Sequence, residues 1–345
     1  MRQALQLARR GIGQTSPNPA VGAVLVRAGK VIGHGWHKHA GGSHAEIFAL
    51  AGKQTRGATL YVTLEPCCTH GRTPPCTDAI IAAGIRRVVV ATRDPNPQHN
   101  GRGLAVLRRA GIRCDTSLLT NEATSLNSAF NKWITTGEPL VIAKAALSLD
   151  GKMTTRTGDS KWITSELARR EAHKLRSHAD AIMVGAGTVI ADNPSLTLRH
   201  GVSGRQPWRV VMDARGRCPR TANLFNDAHR HRTIVCTTTL SPVAWRNGLA
   251  LTGSTVLVFP AKNRRVNLPA MLAELGRMEI TSVLVEGGSE LLGAFFETGL
   301  VDQVAFFFAP KIIGNAATMQ TALNVTGQWR HIGRAEMLFT GATSR

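Results

Sequence analysis

Two cysteines with eight residues between them, Cys67 and Cys76, follow a His-Ala-Glu triplet, His44-Ala45-Glu46, and this set constrains the fold more than any other feature of the chain. A histidine and two cysteines can supply three ligands of a tetrahedral zinc and leave the fourth position open to water. The cysteines converge if Cys76 opens a helix expected over residues 77–83 and the Gly and Pro residues of Cys68-Thr69-His70-Gly71-Arg72-Thr73-Pro74-Pro75 fold the chain between them. Three of the six cysteines fall within ten residues, a distribution that suits metal binding better than a disulfide framework.

An open coordination position makes a zinc site catalytic, because the metal lowers the pKa of its water towards neutrality. Glu46 lies two residues beyond His44 on the same helix start, so it can pass protons to a ring nitrogen and a departing amine without ligating the metal. His-x-Glu with a later Pro-Cys is the arrangement of zinc nucleobase deaminases, in which the cysteines usually stand two residues apart; here the loop is stretched. A closed zinc staple, or buried thiols beside a core histidine, would use the same residues, but the strand-Glu-Pro-Cys context favours an open site. Cys68 and His70 compete as ligands. The residue directly after Pro66 is the better choice, which leaves Cys68 a bystander.

At 345 residues the chain exceeds one ordinary hydrophobic core. Residues 3–10 place Ala4, Leu5, Leu7 and Ala8 on one helical face. Strands are expected over 21–26 and 31–37, with a turn at Ala28-Gly29-Lys30, then a helix over 44–52 capped by Ser43. Strand and helix alternate from there to residue 116, giving an α/β sandwich of three layers. Residues 117–138 read as mixed, and the breaker cluster Thr136-Gly137-Glu138-Pro139 sets a boundary, with a first domain over 1–138 and a second α/β domain over 139–345.

The net charge of +20 admits nucleic acid, a phosphorylated metabolite or an arginine-rich lineage as its explanation. Residues 1–138 carry 17 Lys and Arg against 7 Asp and Glu, so half of the excess falls on each side of the boundary and there is no basic tail. Aromatic residues that could stack bases are only 5% of the chain, with a single tyrosine. Anionic small ligands are therefore expected as partners, not nucleic acid. No apolar stretch approaches the ~18 residues of a membrane span, and no secretory leader pattern opens the chain. A cytoplasmic homo-oligomer without membrane attachment is expected.

Ser16-Pro17-Asn18-Pro19-Ala20-Val21-Gly22, His44-Ala45-Glu46 and the run from Glu65-Pro66-Cys67 to Cys76, followed by Asp94-Pro95-Asn96-Pro97, resemble the bifunctional riboflavin-biosynthesis deaminase/reductase family over almost the whole chain. The resemblance implies a cytidine-deaminase-like fold in the first domain. It implies deamination of 2,5-diamino-6-(5-phosphoribosylamino)pyrimidin-4(3H)-one, with His44, Cys67 and Cys76 on zinc, Glu46 catalytic and Asn18 on the base. An Asn between prolines is otherwise a turn residue.

In the second half, strands run into Gly185-Ala186-Gly187-Thr188 and into Glu286-Gly287-Gly288-Ser289, each followed by a helix; such turns let backbone N–H groups approach phosphates, although neither is a G-x-G-x-x-G. With Ser148-Leu149-Asp150-Gly151-Lys152, Ser160-Lys161-Trp162-Ile163-Thr164 and Thr188-Val189-Ile190-Ala191-Asp192-Asn193-Pro194, they resemble the same family's reductase domain. That implies a dihydrofolate-reductase-like α/β fold and NADPH. By the resemblance Ala146, Trp162, Thr188, Asp192, Ala214 and the turn Gly288, Ser289, Glu290, Leu291, Leu292, Gly293, Ala294 line the cofactor, and Ser160, Leu196, Arg199 and Glu286 hold the substrate. Arg199 and Lys152 suit a phosphorylated ligand, because guanidinium and ammonium groups pair with phosphate. Where the family commonly has serine this chain has Ala214, so contact there is expected through the backbone. Lys152, Asp192 and Glu286 are candidate proton donors for reduction. A tRNA deaminase with an accessory domain, or a zinc-stapled binding module, is the rival reading.

Overall fold

The computed structural model describes residues 1–70, 74–153, 164–314, 325–332 and 336–343, and the chain folds as two compact units, Met1–Glu138 and Pro139–Arg345. Ser160 and Trp162 lie outside the described residues.

The first unit runs α1 (Arg2–Arg9), β1 (Gly22–Arg27), β2 (Lys30–Trp36), α2 (Ala45–Leu50), β3 (Thr59–Leu64), α3 (Cys76–Ala82), β4 (Arg87–Thr92), α4 (Arg102–Arg109), β5 (Arg113–Asp115), α5 (Thr120–Leu126) and α6 (Ser128–Thr136). Its sheet has the order β2-β1-β3-β4-β5, antiparallel around β1 and parallel from β3 to β5. Successive side chains of a strand point to opposite faces. Ala23, Leu25, Leu60, Val62, Val88 and Val90 therefore pack under α2, α3 and α4, whereas Val24 and Ala91 meet α1 and α5 on the other face. Three layers result.

The second unit runs β6 (Leu140–Ser148), α7 (Glu166–His178), β7 (Ala181–Gly185), α8 (Ala186–Asp192), β8 (Trp208–Met212), α9 (Asn223–Asn226), β9 (Thr233–Thr238), α10 (Val243–Leu251), β10 (Thr255–Phe259), β11 (Ala261–Lys262), β12 (Arg265–Val266), α11 (Leu268–Arg277), β13 (Ser282–Val285), α12 (Ser289–Glu297), β14 (Gln303–Ala309), β15 (Val325–Ile332) and β16 (Glu336–Thr343). The main sheet has the order β10-β9-β8-β7-β13-β6-β14-β16-β15, parallel from β10 to β14. Antiparallel β16 and β15 close the far edge. Helices α11 and α12 bury one face, and α7, α8, α9 and α10 the other. From β6 the chain builds outward through β7 to β10 and then returns to insert β13 between β7 and β6. Ligands of parallel α/β sheets settle beyond the carboxyl ends of the strands where strand order reverses.

Several sequence expectations change here. Residues 117–138 form two helices, α5 and α6, rather than mixed chain. The N-cap of α2 is His44, not Ser43, and it makes no side-chain cap bond; the Ser43 carbonyl is bonded by His37 instead. The second unit is not a simple strand and helix alternation, because it ends in the antiparallel pair β15–β16.

Candidate functional site

In the first unit, α2 is seated directly on β2. A Cβ on Gly35 would lie 2.5 Å from the Ala45 carbonyl oxygen and 2.4 Å from the Phe48 Cβ, so only glycine allows this approach. The close seating brings His44 to the start of α3, where Cys76 is the first residue. His44 Nδ1 lies 3.2 Å from Cys76 Sγ and 3.5 Å from Cys67 Sγ, and the Cys76 N–H donates to Cys67 Sγ at 3.3 Å. The three donor atoms fall within 4.8 Å of one another. Donors around one tetrahedral zinc stand roughly 3.5–3.8 Å apart, so these three are close enough to converge on one metal ion. The hydrogen bond from the Cys76 thiol, with His44 beside it, draws Cys67 down to about 4, into the thiolate form that a metal requires; the same bond and burial push Cys76 up.

Glu46 is 3% exposed, and burial raises its carboxyl to about 7 against the opposing pull of His44. Its carboxyl hydrogen-bonds the Cys76 thiol, which places it beside the donor set yet outside it. Asn18 Nδ2 lies 3.3 Å from His37 Nε2, and His37 Nδ1 lies 3.1 Å from the Ser43 carbonyl, so one imidazole ties the Asn18 amide to the residue before His44. Cys68 turns away, its thiol 3.8 Å from His99.

Sequence reasoning passed over Glu65. Its buried carboxylate accepts from the N–H groups of Asp94, Gly101 and Leu104, at 3.3, 2.9 and 3.1 Å, and so fixes the loop after β4 against the segment following β3 that carries Cys67. The Glu-Pro-Cys triplet is its only signal in the sequence.

In the second unit a cavity of about 1340 Å³ opens beyond the carboxyl ends of β6, β7, β8 and β13. Single-ligand pockets commonly measure about 300–1000 Å³, so this one has room for a dinucleotide and a further substrate. Its wall includes Ala146, Thr188, Asp192, Arg199, Ala214, Glu286, Gly288, Ser289, Glu290, Leu291 and Ala294. Lys152, Leu196, Leu292 and Gly293 do not line it. Leu292 and Leu196 are buried in the hydrophobic core, and Lys152 is tied through its N–H to Ser148 Oγ at 2.9 Å. The Ala214 carbonyl accepts from Thr238 Oγ1 at 2.6 Å, so the backbone contact expected there already has one partner for its oxygen.

Glu286 is held at the floor of this cavity by groups that the sequence does not point to. Arg176 of α7 grips it with two prongs, and Lys144 Nζ stands 3.7 Å from Oε2. Burial alone would raise this carboxyl, but Arg176 and Lys144 outweigh it and bring it to about 2. It is ionised at neutral pH and has no proton to give. Beside them His173 Nδ1 accepts from the Arg199 N–H at 3.0 Å, and burial with Arg176 nearby lowers its ring to about 4.

Comparison with known proteins identifies the families of both units. Residues 1–92 match the cytidine and deoxycytidylate deaminase zinc-binding region, and residues 139–333 match the RibD C-terminal domain. The riboflavin biosynthesis protein RibD of Bacillus amyloliquefaciens is 46% identical, over 91% of this chain and 84% of its own length. The structure of RibD from Acinetobacter baumannii superposes with a TM-score of 0.90 at 37% identity, covering 100% of this chain and 98% of that one. A Thermotoga maritima diaminohydroxyphosphoribosylaminopyrimidine deaminase/5-amino-6-(5-phosphoribosylamino)uracil reductase superposes at 0.85 with 35% identity, covering 100% and 97%. The first unit is thus cytidine-deaminase-like and zinc-binding, the second a dihydrofolate-reductase-like domain that uses NADPH. The chain belongs to the RibD family of riboflavin-biosynthesis proteins, a deaminase and a reductase on one polypeptide.

Proposed function

We propose that the chain removes the exocyclic amine of 2,5-diamino-6-(5-phosphoribosylamino)pyrimidin-4(3H)-one in its first unit and reduces the resulting 5-amino-6-(5-phosphoribosylamino)uracil to the ribityl compound in its second. The observation that carries the reading is Glu46, a buried carboxyl held beside one imidazole and two thiols.

In the first unit His44, Cys67 and Cys76 hold zinc, which when bound supplies a water acidic enough to attack at neutral pH. Glu46 acts as the proton carrier: it accepts the proton that the attacking water loses and delivers it to the ring nitrogen. It then serves the departing amine, which leaves as ammonia. Asn18, held by His37, orients the base. In the second unit NADPH, when bound, supplies a hydride to the opened ribose. Ala146, Thr188, Asp192, Ala214, Gly288, Ser289, Glu290, Leu291 and Ala294 cradle it, with Trp162 assigned to it from sequence. Arg199 and the Arg176–Glu286 pair bind the phosphorylated substrate, with Ser160 assigned from sequence. Glu286 orients and does not protonate, because two cations keep it ionised.

No helix among the described residues is long and apolar enough to cross a membrane. The reading places the enzyme in the cytoplasm as a homo-oligomer acting on small phosphorylated pyrimidines, with no nucleic-acid partner; its positive charge, spread over both halves, suits anionic metabolites.

The test is Glu46→Gln in the full zinc-loaded chain. Ammonia release from the diaminopyrimidine phosphate should fall roughly a hundred- to ten-thousand-fold with zinc content unchanged. NADPH oxidation should persist when the deaminated uracil is supplied. Undiminished ammonia release, or turnover of tRNA alone by the unaltered enzyme, refutes the reading.

A further inference from the structure

Helix α7 carries a wall of the reductase cavity, and the chemistry proposed above accounts for only one end of it. Thr164, just before the helix, and then Arg169, Ala172, His173 and Arg176 line the cavity, a stripe at helical spacing. On the side turned to the sheet, Ala168 and Leu175 pack against Phe307, Ile332 and Leu338. Glu286 fixes the Arg176 end of the helix. A second buried carboxylate, Glu336, fixes the Ser165 end; it lies 171 residues further along the chain and is 7% exposed.

Glu336 bonds Ser165 with both of its oxygens. The Ser165 N–H donates to Oε1 at 2.7 Å, and the Ser165 hydroxyl donates to Oε2. That hydroxyl in turn accepts from the Ala168 N–H at 3.2 Å, as the cap of α7. A carboxylate here also meets the positive end of a 13-residue helix. One turn on, Arg169 Nη1 donates to the Thr164 carbonyl at 2.9 Å, so two cavity-lining residues are bonded across the one that Glu336 grips. A further link from α7 to the same pair of strands, Glu171 to Arg330 at 2.7 Å, has an arginine 57% exposed, and such pairs hold weakly.

Topology explains why the carboxylate comes from so far along the chain. β16 runs antiparallel to β14, with Met337 opposite Phe308, while β14 runs parallel to β6, with Ala309 opposite Ser148. The first residue of β16, Glu336, therefore stands at the carboxyl ends of β14 and β6, the edge on which the cavity opens. Residues 165 and 176 span about 16 Å of helix, and a carboxylate from a different strand end clamps each. Resting on the reductase reading above, we propose that Glu336 is a positioning residue of the reduction: through Ser165 it sets where Thr164 and Arg169 stand in the cavity wall, and so how tightly the phosphorylated substrate is held.

The experiment measures NADPH oxidation with the deaminated uracil at saturating NADPH, ammonia release, and urea unfolding on the full zinc-loaded chain and its variants. Glu336→Ala should raise the KM for the deaminated uracil about tenfold and Ser165→Ala about threefold, with kcat moving less than about twofold and ammonia release unchanged. Glu336→Gln keeps an acceptor for the Ser165 N–H and Ser165→Thr keeps the hydroxyl, so each should hold KM within about twofold of the original. The Glu336→Ala/Ser165→Ala chain should be no worse than Glu336→Ala alone, because both act through one contact. Arg330→Ala should leave KM where it is. Should Glu336→Ala not fold, the two Ser165 variants decide the matter by themselves. A lowered unfolding midpoint with KM unchanged, or an equal rise in KM from Arg330→Ala, overturns the assignment. An unaltered chain that does not oxidise NADPH with the deaminated uracil refutes the reductase reading itself, and this assignment with it.

Discussion

Arg176 and Glu286, 110 residues apart, meet in a two-pronged ion pair at the cavity floor, Nε to Oε1 at 2.7 Å and Nη2 to Oε2 at 2.9 Å. Both side chains are nearly out of water, 13% and 8% exposed. Such a pair fixes position more than it stabilises, because the loss of water by two ions cancels much of their attraction. It joins α7 to the glycine turn that leads into α12, and so joins the proposed substrate wall to the proposed cofactor wall.

Arg176→Met removes one partner and leaves Glu286 buried with only Lys144 nearby. Stability should drop by about 3 kcal/mol, the usual cost of stranding a buried charge. Arg176→Lys keeps the charge but loses the fork, so it should fold nearly as well and raise the KM for the deaminated substrate more than it lowers kcat. Denaturant unfolding and steady-state NADPH oxidation check both. An Arg176→Met protein as stable as the original would mean that the pair is not buried in solution.

His173 makes the reductase unit sensitive to mild acid. Its neutral Nδ1 accepts from the Arg199 N–H, and protonation there would break that bond. Burial, then Arg176 and His200, lower the ring from 6.5 to about 4, so the folded state binds this proton less readily than the unfolded chain does. Stability from this group is complete above pH 6.5 and is lost as pH falls towards 4. His173→Gln retains an acceptor that does not titrate. Urea midpoints at pH 7, 5.5 and 4 should fall less steeply for the variant, and parallel curves would show that His173 does not titrate as described.

What could be read from the sequence is what lies close together in it. His44 and Glu46 share one turn of chain, and Cys67 and Cys76 bracket one loop, so chemistry and spacing sufficed to group them before any fold was known. Arg176 could not be read this way. It lies in Glu-Leu-Ala-Arg-Arg-Glu-Ala-His-Lys-Leu-Arg-Ser-His, where charge of both signs looks like a solvated helix face, and only the insertion of β13 beside β7 brings Glu286 under it. The hairpin β11–β12 escaped for a different reason: two-residue strands carry no alternation, and Asn263-Arg264 lacks the glycine that marks such a turn. Leu196 and Leu292 show the converse, since the resemblance set them near ligands whereas their apolar side chains are buried in the core.

Glu65 offers a separate test of how the deaminase loop is held. Its two carboxylate oxygens satisfy three backbone donors in the segment from Asp94 to Leu104, and Pro66 and Cys67 follow directly. Glu65→Gln turns one acceptor into a donor that faces N–H groups, so the Asp94 and Gly101 donors or the Leu104 donor must go unpaired. Each bond to a charged group is worth about 2 kcal/mol, and the variant should lose about that much stability. Because Glu65 lies outside the donor set of His44, Cys67 and Cys76, zinc stoichiometry should hold, and the KM of deamination should rise while kcat changes less. Metal analysis, denaturant unfolding and ammonia-release kinetics on the same preparation decide it. Loss of zinc with KM unchanged would mean that Glu65 supports the segment carrying Cys67 instead of the loop.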